Sequence, residues 1–68
     1  MENNLADRRK KHGWTQAQLA AQLGVSRQTV ISIERGHFDP SLPLAFRLAV
    51  AFDCRIEDVF TPATPGPA

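Results

Sequence analysis

The chain has 68 residues, a net charge of +1, one cysteine and two histidines. That length fits one domain, and a chain so short buries only about 60% of the surface its unfolded form exposes, so its stability is marginal. A single cysteine excludes an internal disulfide, and His12 and His37, far apart with no Cys-x-x-Cys pair, make no structural zinc site. Stability is therefore expected from helix packing or self-association, with no metal and no cofactor. The lone thiol of Cys54 suits a reducing, cytoplasmic setting. No apolar run approaches the roughly 20 residues that span a membrane, and no signal peptide follows the polar start Met1-Glu2-Asn3-Asn4.

The charge is unevenly spread. Residues 1–36 hold Arg8, Arg9, Lys10, Lys11, Arg27 and Arg35 against three acids, a net of +3. Residues 37–68 hold Arg47 and Arg55 against four acids, a net of −2. A polyanion-binding face is thus expected in the first half. The Arg8–Lys11 run alone says little, since such runs are usually a solvated helix face.

Five short helices and no strands are predicted. The first spans about Asn4 to His12, capped by Asn3 or Asn4 and closed by Gly13, with Leu5 and Ala6 as its apolar contacts. Thr15 caps the second, where Leu19, Ala20 and Leu23 form one buried stripe. Gly24 ends it by supplying left-handed backbone geometry. Ser26 caps the third helix, which runs to about Arg35 before Gly36. Only Gly24-Val25-Ser26 links the two, and a turn that short forces a steep crossing. Ala20 is small enough to let the helices approach.

His37-Phe38-Asp39-Pro40 reads as a loop. Ser41 caps a fourth helix over Leu42–Phe52, with Pro43 in its first turn, where a missing N–H does no harm. Leu44, Ala45, Leu48, Ala49 and Phe52 make its core stripe, while Phe46 and Val50 make its other side apolar. A fifth helix covers Ile56–Phe60. The domain is expected to end at 60, and the proline-rich tail 61–68 is expected to be disordered.

The third helix carries the chemistry. Val30 and Ile33 point inward. Arg27, Gln28, Ile31, Ser32 and Arg35 are linked by three- and four-residue spacings on the opposite face. Arginine can bond guanine O6 and N7 bidentately, and glutamine adenine N6 and N7. Serine can donate or accept, and Ile31 can lie against a thymine methyl. Arg27 and Gln28 sit at the N-terminal end, the part of a recognition helix that reaches base edges. Gln16, in the first turn of the second helix, is placed for a phosphate contact at a helix N-terminus. Taken alone, this face fits an ordinary amphipathic surface helix equally well. The short turn, the two caps and the two glycines favour DNA.

The run from Thr15 to Gly36, TQAQLAAQLGVSRQTVISIERG, resembles the Cro and phage-repressor type helix-turn-helix, the XRE family. The matching positions are Thr15-Gln16, Leu19-Ala20, Gly24-Val25-Ser26, Val30, Ile33 and Glu34-Arg35-Gly36. Asp39-Pro40-Ser41-Leu42 and Glu57-Asp58-Val59-Phe60 resemble its short stand-alone regulators, and the likeness extends from about Leu5 to Phe60. It implies an all-α, five-helix lambda-repressor-like domain that binds double-stranded DNA as a homodimer on an inverted repeat. It implies base contacts from Arg27, Gln28 and Ser32, with Thr29 nearby, and phosphate contacts from Gln16 and from Arg35 to His37. It also implies an ion pair between Arg9 and Glu34, tying the first helix to the end of the third. Asp53 departs from the family, which often has glycine or asparagine after the fourth helix, but aspartate tolerates a left-handed conformation better than most residues.

The remaining signals are weaker. Phe46, Val50, Ile56, Val59 and Phe60 are an apolar excess in so small a chain, expected to form a homodimer interface. An antitoxin- or adaptor-like protein partner is the alternative occupant. Cys54 reads as a small hydrophobe rather than a redox switch. Trp14 reads as core or as a staple at the first turn, with exposure toward DNA as the alternative. His12 and His37 read as isolated surface histidines able to touch phosphate when protonated. Asp53, Glu57 and Asp58 read as solvated helix-end charges. No nucleophile–base pair, phosphate-binding loop or paired-carboxylate site appears, so no enzyme is expected.

Overall fold

In a computed structural model that describes residues 1–62, the chain opens with a short strand, β1 (Glu2–Asn3). Five helices follow: α1 (Leu5–His12), α2 (Gln16–Leu23), α3 (Arg27–Glu34), α4 (Leu42–Ala51) and α5 (Ile56–Val59). A second strand, β2 (Phe60–Thr61), comes after them. Side-chain caps explain where the helices start. Asn3 Oδ1 accepts the Leu5 N–H at 3.1 Å, so Asn3 caps α1 from one residue before the N-cap position. Asn4 occupies that position without a side-chain cap bond, and α1 starts at Leu5 rather than Asn4. Thr15 and Gln18 satisfy each other's backbone N–H in a reciprocal box at the start of α2. Ser41 Oγ accepts the Leu44 N–H at 3.3 Å to open α4, with Pro43 in its first turn.

The apolar stripes of these helices meet in one core. Leu5, Leu19, Leu23, Val30, Ile33, Leu48 and Val59 are fully enclosed. Each such side chain contributes about 1.5–3 kcal/mol relative to exposure. The core lies between α2 and α3 and is closed by α4, which packs on α2 and α5, and by α1, which packs on α3.

The expectation of no strands is corrected by β1 and β2, which pair antiparallel with Glu2 opposite Thr61 and Asn3 opposite Phe60. Thr61 thus belongs to the folded unit rather than to the tail, and residues 63–68 lie outside the described residues. The ribbon forms because α1 starts beside the end of α5. There the Asn4 N–H donates to the Val59 carbonyl at 3.0 Å, and Asn4 Nδ2 donates to the Asp58 carbonyl at 2.9 Å.

The end of α4 also differs from expectation. Phe52 is the C-cap, half-buried, and Asp53 follows at φ +50°, the left-handed geometry anticipated for it. Phe52 packs at the edge of the core and against Trp14, whose ring it meets at 5.4 Å with 62° between planes. His12 stacks on Trp14, its ring centroid 3.7 Å away, and meets Phe52 edge-on at 5.8 Å. His12 is therefore part of an aromatic cluster, not an isolated surface histidine, and Trp14 staples the α1–α2 turn to the end of α4. Cys54 is half-buried against the core, as a small hydrophobe.

At α5, Asp58 is a partnered charge rather than a freely solvated one. Its oxygens accept the Arg55 backbone N–H at 2.9 Å and the Arg55 guanidinium at 3.2 Å. These bonds, the backbone one foremost, hold the Asp58 carboxyl below the usual carboxylate range. The same pairing raises the Arg55 pKa. No helix among the described residues is long and apolar enough to cross a membrane.

Candidate nucleic-acid interface

The α2–α3 unit is set by its turn. Gly24 adopts φ +72°, and its N–H and that of Val25 donate to the carbonyls of Ala21 and Ala20 at 3.3 and 3.1 Å. This pair of bonds is the Schellman closure, which requires a left-handed residue where Gly24 stands. Ser26 Oγ then accepts the Thr29 N–H at 3.2 Å and starts α3 at once. Only Val25 therefore lies between the C-cap of α2, Gly24, and the N-cap of α3, Ser26, and the helices cross with Ala20 buried.

Helix α3 sits with Val30 and Ile33 fully buried and the opposite side open. Arg27 and Gln28 are exposed at its N-terminal end. Ile31 and Ser32 are half-buried further along the outward side. Arg35 and His37 are exposed in the turn that follows, where Gly36 takes φ +75°. Thr29 differs from the others. Its hydroxyl lies 2.9 Å from Ser26 Oγ, so it belongs to the cap of α3 as well as to the outward face.

A polar network underlies this face. Arg9 Nε donates to Glu34 Oε2 at 2.7 Å, Arg9 NH2 approaches Oε1 at 3.4 Å, and Arg9 NH1 donates to the Trp14 carbonyl at 2.9 Å. Gln16 Nε2 donates to the same Glu34 Oε1 at 3.1 Å. The oxygen of that amide is 3.5 Å from Arg27 NH2. One amide thus links the buried ion pair to the first residue of α3. Sequence reasoning assigned Gln16 to phosphate alone. Its bonds to Glu34 and Arg27 span 18 and 11 residues and leave no periodic trace.

The apolar residues assigned to an interface divide into two groups. Val59 and Phe60 are only 2% and 6% exposed, because the single turn of α5 folds them into the protomer's own core. Val59 therefore offers a partner no surface, while Phe60 keeps only an edge, on the groove beside α4. Phe46 and Val50 are 56% and 81% exposed. Leu42, also exposed, precedes them at the same four-residue spacing, so the three form one stripe along α4. Half-buried Ile56 lines a groove beside it with Phe46, Ala49, Val50 and Cys54. Among the described residues, no cluster of His, Cys, Asp and Glu could hold a metal ion.

A family model for the helix-turn-helix matches residues 5–59. An uncharacterised HTH-type transcriptional regulator of Methanocaldococcus jannaschii is 55% identical over 60 residues, covering 88% of this chain and 91% of that protein. The uncharacterised HTH-type transcriptional regulator YgzD of Bacillus subtilis is 43% identical over 60 residues, covering 88% of this chain and 91% of its own. Among solved structures, the restriction-modification controller protein C.AhdI from Aeromonas hydrophila matches with a TM-score of 0.74 at 34% identity, over 82% of this chain and 85% of that one. The chain therefore belongs to the XRE-type helix-turn-helix family, a family of DNA-binding transcriptional regulators rather than enzymes.

Proposed function

We propose that this chain is a sequence-specific repressor or autoregulator that acts in the cytoplasm as a homodimer on an inverted repeat. The observation that carries the reading is the two-sidedness of α3. Val30 and Ile33 anchor it in the core, and Arg27 and Gln28 stand exposed at the end that meets base edges first. Arg27 reads guanine and Gln28 reads adenine through paired hydrogen bonds. Ser32 and Ile31 meet the next base pairs, with Thr29 at the edge of the contact. Gln16, Arg35 and His37 flank this strip and fix the register on the phosphates. Bound dimers repress by occupying the DNA that polymerase needs.

The dimer is supported by the exposed apolar stripe of Leu42, Phe46 and Val50, a surface that a second copy would cover. The same stripe supports a second reading, in which a different protein takes that place.

Selection of duplexes from a randomised library tests the proposal. An enriched inverted repeat with half-sites about 10 base pairs apart is expected. Retention that vanishes with modest salt and enriches no sequence would overturn it, leaving only phosphate attraction.

A further inference from the structure

Asn3 touches three elements at once. Its backbone pairs with Phe60 in the ribbon, immediately after α5. Its Oδ1 accepts the Leu5 N–H at 3.1 Å and so caps α1. Its Nδ2 donates to the carbonyl of Ile33 at 2.8 Å, across 30 residues and in a partly buried setting. A weaker approach of the same nitrogen reaches the Met1 carbonyl at 3.4 Å.

The Ile33 carbonyl lies in the last turn of α3, where intrahelical donors run out. It also accepts the Gly36 N–H at 2.9 Å, which folds the chain into the turn bearing Arg35 and His37. The next bond of that turn runs from the His37 N–H to the Ser32 carbonyl at 3.0 Å. The strand backbone closes over the same place: a Cβ on Gly36 would come within 3.2 Å of the Met1 carbonyl oxygen. The C-terminal end of α3 is thus held from outside the helix-turn-helix by a strand that is itself pinned to the end of α5.

We propose that Asn3 is a positioning residue for DNA binding, clipping the last turn of α3 to the β ribbon so that Arg35 and His37 keep a fixed height above the phosphates. This rests on the DNA-reading function proposed above. Asn3 does not touch DNA in this role. It acts by limiting the freedom of the turn that does. A contact that must first be ordered is weaker by the entropy of ordering it.

Two variants test the role. Asn3→Asp keeps the acceptor for the Leu5 N–H and replaces the donor by a second oxygen facing the Ile33 carbonyl. Asn3→Ala removes the donor without adding charge but also removes the Oδ1 cap of α1, so loss in Asn3→Ala alone would assign the effect to that cap and overturn the proposal. Each is compared with the parent chain, after circular dichroism at the assay temperature establishes equal helicity, on a selected operator and on random duplex over a range of salt. Both variants are expected to lose about fivefold to tenfold in operator affinity, the size of one hydrogen bond expressed as binding. The slope of log K against log salt is expected to flatten by about one, as one phosphate contact is lost. A merely structural role would lower the folded fraction and leave that slope unchanged. Loss in Asn3→Asp alone would identify a charge effect and overturn the proposal, as would unchanged affinity and slope in both folded variants. Failure of the parent chain to select any operator would instead sink the DNA-reading function, and this role with it.

Discussion

Arg9 and Glu34 meet at 2.7 Å with only 11% and 7% of their side chains exposed, so the carboxylate at the end of α3 is neutralised from α1. The pair also gathers Gln16 and the Trp14 carbonyl. Removing one member of such a pair leaves the other charge desolvated without compensation. Glu34→Leu is expected to cost about 3 kcal/mol of stability, at the low end for a broken buried pair. The double variant Arg9→Met/Glu34→Leu is expected to recover part of that loss, because no charge is left uncovered. Urea unfolding of the parent, single and double variants measures both numbers. A single variant within about 0.5 kcal/mol of the parent, the range of an ordinary surface substitution, would show that water still screens the pair.

Much of this architecture is legible in the sequence because it is local. Thr15, Ser26 and Ser41 announce helix starts within three residues of the N–H groups they accept. Gly24 marks a turn that needs positive φ, and Val30 and Ile33 fall on one side of a 3.6-residue period. The β ribbon is not legible, since two-residue strands carry no alternation and their pairing spans nearly the whole chain. Val59 and Phe60 misled for a related reason: apolar character marks a residue for burial but does not say whether its own core or another copy buries it. At the candidate interface, the outward chemistry of α3 can be read by spacing. The bonds that Gln16 and Asn3 make to α3 cannot, because both depend on how distant segments dock.

Asp58 supplies a pH dependence. Its carboxyl is held below its ordinary value of 3.8 by the Arg55 backbone N–H and then by the Arg55 side chain. A depressed folded pKa stabilises the fold at pH above the unfolded value, and that contribution is lost as pH falls through the folded value. The melting temperature is therefore expected to drop as pH is lowered below about 4, where the unfolded chain takes up the proton first. Asp58→Asn removes the titrating group and is expected to flatten part of that drop. Identical acid limbs in the two proteins, followed by thermal circular dichroism, would exclude Asp58 as a source of acid sensitivity.

Arg27 separates base reading from phosphate attraction. Its guanidinium is exposed and lies 3.5 Å from Gln16 Oε1, which restricts it before DNA arrives. Arg27→Ala is expected to cost about 1–3 kcal/mol on a selected operator and to relax preference at one base pair per half-site. Gln16→Ala is expected to weaken binding to all sequences more evenly, since its proposed partner on DNA is a phosphate. Competition binding against a panel of single-base operator variants measures both. Uniform loss for Arg27→Ala would make it a phosphate contact.

The exposed stripe on α4 predicts a mass. The parent chain is expected to sediment as two copies at micromolar concentration. Val50, at 81% exposure, contributes almost nothing to the protomer's own core, so Val50→Glu is expected to leave the unfolding transition within about 0.5 kcal/mol of the parent at concentrations low enough that both are single copies. The same change places an unpaired charge in a surface that a second copy would desolvate. Burial of one such apolar side chain is worth about 1.5–3 kcal/mol, or at least tenfold in the dissociation constant, and the stranded carboxylate adds to the loss. The variant is expected to sediment as one copy and to bind an isolated half-site as the parent does, but to lose the cooperative gain of the inverted repeat. A single-copy mass for the parent itself would assign the stripe to a different protein, and pairing unaffected by Val50→Glu would move the dimer contact off α4.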